Sequence, residues 1–364
     1  MPATANSASS PLVLAILDGV GLTDPAHDNA LSQAKAPFLH QVIAGALPGA
    51  SVVSMPISAH GTAVGLPSDA DMGNSEVGHN IMGAGRIFDQ GAKQVEAAFE
   101  SGDIWGGAWD DVMARRANRI HFLGLLSDGN VHSHIRHLVT LLDRAVADGA
   151  RDLVCHVLFD GRDVTDGTAE KYLAQLDESI ASLTAREPGA RIIVGSGGGR
   201  MNTTMDRYEA DWEIVARGWE AHARGTARPF TSAEEALRTL RAEDPGVSDQ
   251  YLPSFTVVGA DGAPVGAMQA GDAVVLFNFR GDRMIEICRA LTEQQFTAFD
   301  RGPLPADLLV VGMTLYDGDL GIPARFLVQP TRVDGTVSEL LAAAGIAQFA
   351  CAETQKFGHV TYFW

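Results

Sequence analysis

The chain has 364 residues, 46% of them hydrophobic, enough to bury the cores of two or three domains. Its formal net charge is −18, from 45 acidic against 27 basic side chains. That balance argues against nucleic acid or an anionic membrane surface as a partner, and an anionic ligand would need a local pocket of arginines. Cys155, Cys288 and Cys351 make neither a CxxC pair nor a zinc spacing, which points to a reduced, cytoplasmic protein.

In chain order, MPATANSASS is polar and reads as a frayed end. The apolar run Leu12–Leu17 is too short to span a membrane and lacks a basic flank. It reads as a buried parallel strand ending at Asp18-Gly19. Residues 29–46 read as helical, and Ala50–Met55 as a second short strand. The loop with Ser75 follows, then a helix, then a helical stretch over about 90–116. RIHFLGLLSDG (119–129), DLVCHVLFDGRD (152–163), RIIVGSGGGR (191–200) and DAVVLFNFRGDR (272–283) each open a strand-loop-helix unit. Their alternation predicts a doubly wound α/β domain, with functional residues where the strands end. Residues 256–272 read as a small hairpin insertion, DLLVVGMTLYD (307–317) as another strand, TVSELLAAAG (336–345) as a helix, and HVTYFW (359–364) as a strand.

Ser75 stands between the turn-forming pair Gly73-Asn74 and an apolar run that can open a helix. Locally, this is an ordinary helix cap. A helix N-terminus also offers free N–H groups and partial positive charge to a phosphoryl group, and a serine there can carry it. Asp18 is by itself a turn residue, but a divalent cation bridging it and Ser75 would make an alkoxide nucleophile. In SDGNVHSHIRH (127–137), His132 is a candidate for a substrate hydrogen bond and His134 or His137 for a structural role, with zinc the lesser option. Asp160-Gly-Arg-Asp163, Gly197-Gly-Gly-Arg200, Met205-Asp-Arg207 and Phe279-Arg-Gly-Asp-Arg283 put arginines at strand ends, where guanidinium forks bind carboxylate and phosphate. GSGGGR fails the GxGxxG pattern, which argues against a dinucleotide site. Lys356 can neutralise a transferring phosphoryl group.

The segments LDGVG, DADMGNSEVGHNIMGAGRI, LLSDGNVHSH, DGRD, SGGGRMNTTMDRY, NFRGDR and ETQKFGHVTYFW occur in this order over nearly the whole chain. Together they resemble the cofactor-independent phosphoglycerate mutases of the alkaline phosphatase superfamily. The GRM…MDRY version is closer to the plant and trypanosomatid branch than to many bacterial members. The resemblance implies an α/β fold in which an alkaline-phosphatase-like split domain, 1–90 and 331–364, carries an inserted second α/β domain, 91–330, that binds glycerate. It implies interconversion of 3-phosphoglycerate and 2-phosphoglycerate by a monomer that uses two divalent metal ions, Mn2+ or else Mg2+ or Co2+. Asp18 and Ser75 match ligands of one ion, and Ser75 is the residue that becomes phosphoserine. His132, Arg162, Asp163, Arg200, Arg207, Arg280, Arg283 and Lys356 match substrate-binding positions, with Asp163 the acid–base and Lys356 the phosphoryl stabiliser. The Arg200–Arg207 spacing is one residue longer than in many bacterial members.

The family's remaining metal ligands, an Asp/His set, lie beyond the strand in which this chain stops. The expectation is therefore an incomplete phosphatase-like domain and no independent mutase activity. Two alternatives stand: a non-catalytic phosphoglycerate-binding fragment, or another phosphatase or phosphomutase of the superfamily. A plain phosphatase would not need the arginine set and DGRD.

Overall fold

The computed structural model describes residues 11–20, 22, 29–329, 333–361 and 364. Two compact units divide the chain, 1–58 and 59–364. In the first, helix α1 (Ala30–Gln33) starts at Asn29, whose side chain accepts the Leu31 and Ser32 N–H groups. Helix α2 (Pro37–Ile43) opens on proline, whose missing N–H costs nothing in a first turn. The two expected strands of this unit, Leu12–Leu17 and Ala50–Met55, are not strands. Neither run has a β partner among the described residues, and Leu12 and Val53 are 97% and 88% exposed. A lone apolar run has nothing to pair its backbone groups with, so its β propensity alone does not make a strand.

The second unit is built on one seven-stranded sheet. Its strands are β1 (Ile120–Leu126), β2 (Asp152–Phe159), β3 (Arg191–Gly199), β4 (Arg228–Phe230), β5 (Phe255–Val257), β6 (Ala273–Leu276) and β7 (Leu309–Gly312). They lie in the order β4-β5-β3-β2-β1-β6-β7, all neighbours parallel except β3 and β5. The chain winds outward from β1 to β3, then returns to lay β6 on β1's other side. The gap between the ends of β1 and β6 is thus a topological switch point, where open α/β sheets bind ligands.

The central strands are buried along almost their whole length because helices cover both faces. Helices α6 (Ile135–Ala147), α7 (Ala169–Arg186) and α9 (Ala233–Glu243) pack on Phe122, Leu153 and Val275. Helices α8 (Trp212–Trp219) and α10 (Ile285–Thr292) pack on Leu123, Leu158 and Val274. In α6 the buried Ile135, Leu138, Leu142 and Ala145 fall at helical spacing on one face. Ahead of the sheet come α3 (Ser75–Ala84), α4 (Gly91–Ser101) and α5 (Ala108–Met113), and after it α11 (Val337–Ala343), opened by a Thr336–Glu339 capping box.

The glycine run of β3 is a packing feature. A Cβ on Gly199 would come 2.4 Å from the Asp249 carbonyl oxygen, and one on Gly198 would come 2.3 Å from Thr203 Oγ1. The expected small hairpin appears as an antiparallel bridge from Val258 to Pro264. HVTYFW is not the expected strand: 3-10 turns occupy Thr354–Lys356 and Gly358–Val360, with no strand alongside among the described residues. Tyr362 and Phe363 lie outside the described residues. No described helix is long and apolar enough to cross a membrane.

Candidate active site

Ser75 is the first residue of α3. Gly73 lets the chain enter close to its neighbour: a Cβ there would sit 1.7 Å from the Ala59 carbonyl oxygen. Asn74 then caps the helix, its side-chain oxygen accepting the Val77 N–H at 3.1 Å. Glu76 in the first turn complements the helix dipole. The Lys356 ammonium donates to Ser75 Oγ at 2.8 Å, although 281 positions separate them. A cation at that distance favours the alkoxide over the hydroxyl. His79 holds the turn from behind, with Nδ1 2.7 Å from the Ser75 carbonyl oxygen. The His359 ring meets His79 edge-on at 5.0 Å. Burial, then the Lys356 charge, lowers His359 to about 4, so it stands neutral beside Lys356.

The ends of β1, β2, β3 and β6 carry a buried charge cluster. Arg200 has no exposed side-chain surface, and its Nη1 donates to Asp160 at 2.8 Å and Asp163 at 2.7 Å. Asp160 also accepts the Ser127 hydroxyl at 2.6 Å and the Arg162 and Asp163 backbone N–H groups, so it fixes the DGRD turn. Arg280 lies between Glu76 at 2.6 Å and Asp282 at 3.1 Å. Burial works against its charge, but Asp282 and Glu76 outweigh it and hold the guanidinium above its ordinary value. Arg207 approaches the far oxygen of Asp282 at 3.5 Å and lies over the Tyr208 ring. Arg283 donates to the Met205 carbonyl at 2.5 Å. Burial lowers it to about 10 despite Asp282, with Arg207, Arg200 and Arg162 adding to the fall.

His132 is buried where the β1 and β6 loops meet, and its carbonyl accepts the Phe279 N–H at 2.9 Å. Burial and then Arg200, Arg280 and Arg283 push it well below its usual value, so the ring is neutral. Burial raises Asp163 above its ordinary value, Arg200 opposing and Asp160 reinforcing. Raised in this way beside Arg200, it can hold and release a proton. Arg162 is exposed, and its charge reaches the cluster through space. Among the described residues, Arg200 Nε, Arg200 Nη2 and Arg283 Nε are buried without hydrogen-bond partners. Each such donor costs ~1–3 kcal/mol, a debt that an oxyanion cancels.

Ser75, Glu76, Arg280 and Lys356 are thus brought together, and Asp282 links Arg280 to Arg207. Glu76, Asp282, Asp160 and Tyr208 belong to this arrangement although sequence reasoning gave them no role. All four stand inside the segments quoted above, three of them as acidic neighbours of the functional residues. Asn130 was also missed: it donates to Asp71 at 2.8 Å, tying the β1 loop to the segment before Ser75. His134 caps α6, accepting the Arg136 N–H, and His137 pairs with Glu96 at 3.2 Å, so both have the structural role. Asp18 lies in the other unit, in an exposed turn where its side chain accepts the Gly19 N–H. No group of three or more His, Cys, Asp or Glu side chains able to hold a metal ion occurs among the described residues. Asp18 and Ser75 supply one carboxylate and one hydroxyl, short of a donor set for two divalent ions.

The family model described as BPG-independent PGAM N-terminus (iPGM_N) matches residues 94–318, more than half of the chain. The chain belongs to this family. As an iPGM_N member it is 51% identical, over 98% of its length, to the probable 2,3-bisphosphoglycerate-independent phosphoglycerate mutase of Leptospira interrogans serovar Lai. It is 49% identical over 97% of its length to the 2,3-bisphosphoglycerate-independent phosphoglycerate mutase of Trypanosoma brucei brucei. It spans 64% and 63% of those relatives' own lengths. The crystal structure of Leishmania mexicana phosphoglycerate mutase at low cobalt concentration superposes with a TM-score of 0.90 at 46% identity, covering 96% of this chain and 63% of that one. The probable 2,3-bisphosphoglycerate-independent phosphoglycerate mutase 2 of Arabidopsis thaliana is 48% identical over 96% of this chain.

Proposed function

We propose that this chain carries the nucleophile and the substrate pocket of a phosphoglycerate mutase that interconverts 3-phosphoglycerate and 2-phosphoglycerate through a phosphoserine at Ser75. The observation that carries the reading is the Lys356–Ser75 contact at 2.8 Å on a helix N-terminus tied through Glu76 to Arg280. The buried arginine donors without partners support it, because phosphate and carboxylate are the groups that satisfy them.

In the first step, Ser75 Oγ bonds to phosphorus as the bond to the 3-oxygen of glycerate breaks. In net terms the serine proton ends on that oxygen, and Asp163 is the group able to carry it. Lys356 and the α3 N-terminus neutralise the transferring phosphoryl group, with Arg280 and Arg283 beside them. His132, Arg162, Arg200 and Arg207 retain the glycerate. In the second step its 2-hydroxyl gives a proton to Asp163 and takes the phosphoryl group back from Ser75, and that proton ends on the Ser75 oxygen as its bond to phosphorus breaks. Retention separates a mutase from a phosphatase, since release of glycerate would leave phosphoserine to water.

Dependence on divalent metal belongs to the same reading, with Asp18 and Ser75 as donors, but the described residues do not assemble the set and no step here runs through it. The reading also takes residues 91–330 as the glycerate-binding domain, supported by a sheet lying wholly within 120–312. Residues 1–90 and 331–364 belong to the phosphatase-like domain, in a cytoplasmic monomer.

Calorimetry with 3-phosphoglycerate and mass spectrometry of the acid-quenched chain test this. Binding should be present in the parent chain and in Ser75→Ala, and any trapped phosphate should sit on Ser75. Absence of binding in the parent, or phosphate on another residue, refutes the reading.

A further inference from the structure

A line of hydrogen bonds crosses the interior between the sheet and α8, and the proposed reaction uses none of it. Asp272 Oδ2 lies 3.0 Å from His121 Nε2, and His121 Nδ1 lies 2.9 Å from His156 Nε2. His156 Nδ1 lies 2.7 Å from Ser196 Oγ, which lies 2.7 Å from His222 Nδ1. His222 Nε2 lies 2.9 Å from Thr204 Oγ1, and the three histidines, Ser196 and Thr204 are all fully or almost fully buried.

The proton positions follow from the carboxylate end. An ionised Asp272 only accepts, so His121 donates from Nε2 and accepts at Nδ1. His156 then donates from Nε2, Ser196 from its hydroxyl, His222 from Nδ1 and Thr204 from its hydroxyl. Every link is filled once, and all point toward Asp272. A proton added to any ring would face another donor. Burial agrees: it lowers His121, pushes His156 well below its ordinary value, and takes His222 to about 3.

The far end of the line is an unusual place. Thr204 has φ +74°, a left-handed conformation costly for a β-branched residue. Helix α8 presses on it at Gly218, where a Cβ would meet Thr204 Oγ1 at 2.1 Å. His222 stands on the π-helical turn Glu220–Arg224 that continues α8. Such turns are rare and frequently lie at functional sites. Thr204 follows Arg200 by four residues and precedes Arg207 by three, and the next carbonyl, that of Met205, receives Arg283.

We propose that Asp272, His121, His156, Ser196 and His222 form a one-way hydrogen-bonded wire that makes Thr204 a positioning residue, holding the left-handed turn from which Arg200, Arg207 and Arg283 are set in the anion pocket. The proposal rests on the reading that those arginines hold phosphoglycerate.

The test uses the 364-residue chain. Nitrogen-15 NMR of labelled histidine should find three neutral rings, with the proton on Nε2 of His121 and His156 and on Nδ1 of His222. Thr204→Val keeps the shape and removes the hydroxyl. It should raise amide exchange at residues 203–207 and weaken 3-phosphoglycerate binding roughly tenfold, the equivalent of one lost hydrogen bond, while exchange in β1 is unchanged. Thr204→Ser should restore both. If Thr204→Val does not fold, Ser196→Ala cuts the wire at its middle and should show the same two effects. A charged ring, a reversed tautomer, or unchanged exchange in the cut wire overturns the proposal. Exchange that responds as stated in a chain that binds no phosphoglycerate refutes the proposed function and leaves the wire standing.

Discussion

Arg200 and Arg283 are both buried arginines of one cluster, yet they should respond differently to truncation. Arg200 neutralises Asp160 and Asp163, so Arg200→Ala strands two buried carboxyls. It should cost about 3 kcal/mol or more of stability in urea unfolding, besides any loss of binding. Arg283 has a single carbonyl partner and a free Nε, so Arg283→Ala should spare most of the stability and weaken 3-phosphoglycerate binding by ~1.5–3 kcal/mol in calorimetry. Equal stability losses in the two variants would contradict this division. Glu286 is a second case in which surroundings decide behaviour. It accepts the Glu209 N–H at 3.0 Å, and burial, then Asp206, raises its carboxyl to about 8. The folded chain therefore binds a proton there that the unfolded chain has already lost above its ordinary value of 4.5. Its contribution is complete below that value and disappears as pH rises toward 8. Glu286→Gln should remove this slope, so its unfolding midpoint should gain on the parent's as pH rises from 5 to 9. Parallel curves would mean that the carboxyl is ionised in the folded state.

At the scale of elements, two small residues bear very different loads. The Asn74 cap supplies one partner to α3, and Asn74→Ala should cost roughly 1 kcal/mol, read from thermal unfolding. Gly199 ends β3 against backbone, which cannot swing aside as a side chain can. Gly199→Ala should cost clearly more than the cap, ~1–3 kcal/mol or beyond, and should displace the adjoining Arg200. If the alanine is tolerated without loss, the strand end is looser than its contacts imply. The histidine line belongs to this scale as well. Folded His222 sits near 3, against an ordinary 6.5. The unfolded chain takes up protons that the folded chain refuses, so stability is complete above 6.5 and falls as pH drops below it. At pH 5 the loss from His222 alone should be about 2 kcal/mol, seen as a lower urea midpoint than at pH 7. A midpoint independent of pH between 7 and 5 would show a charged ring inside the fold.

Across the whole molecule, the strand order places the pocket. Because β6 returns beside β1, the loop with His132 meets the loop with Arg280, Asp282 and Arg283, and DGRD and Arg200 follow on the adjoining strands. Much of this was legible in the sequence. The apolar runs ending in Asp or Arg mark parallel strands whose ends carry chemistry, and five of the seven strands lie in segments so marked. The Gly-Asn-Ser entry to α3 was equally plain, because a cap and a helix start are written within a few residues. The runs at Leu12–Leu17, Ala50–Met55 and HVTYFW were misread because a strand is a property of pairs, and no partner stands beside them among the described residues. Local sequence also could not place Lys356 against Ser75 or Glu76 against Arg280, since these pairs join positions more than 200 residues apart. The same holds for the chain from Asp272 to Thr204, whose members look like ordinary core and turn residues one at a time. The sequence by itself determined where α3 starts, five of the seven strands and which side chains carry charge, because propensity, periodicity and capping act over a few residues. Only the tertiary structure decided which charges are buried together, and hence which donors are left without partners and which groups are displaced from their ordinary protonation, because burial and electrostatic proximity depend on distances that chain order does not encode.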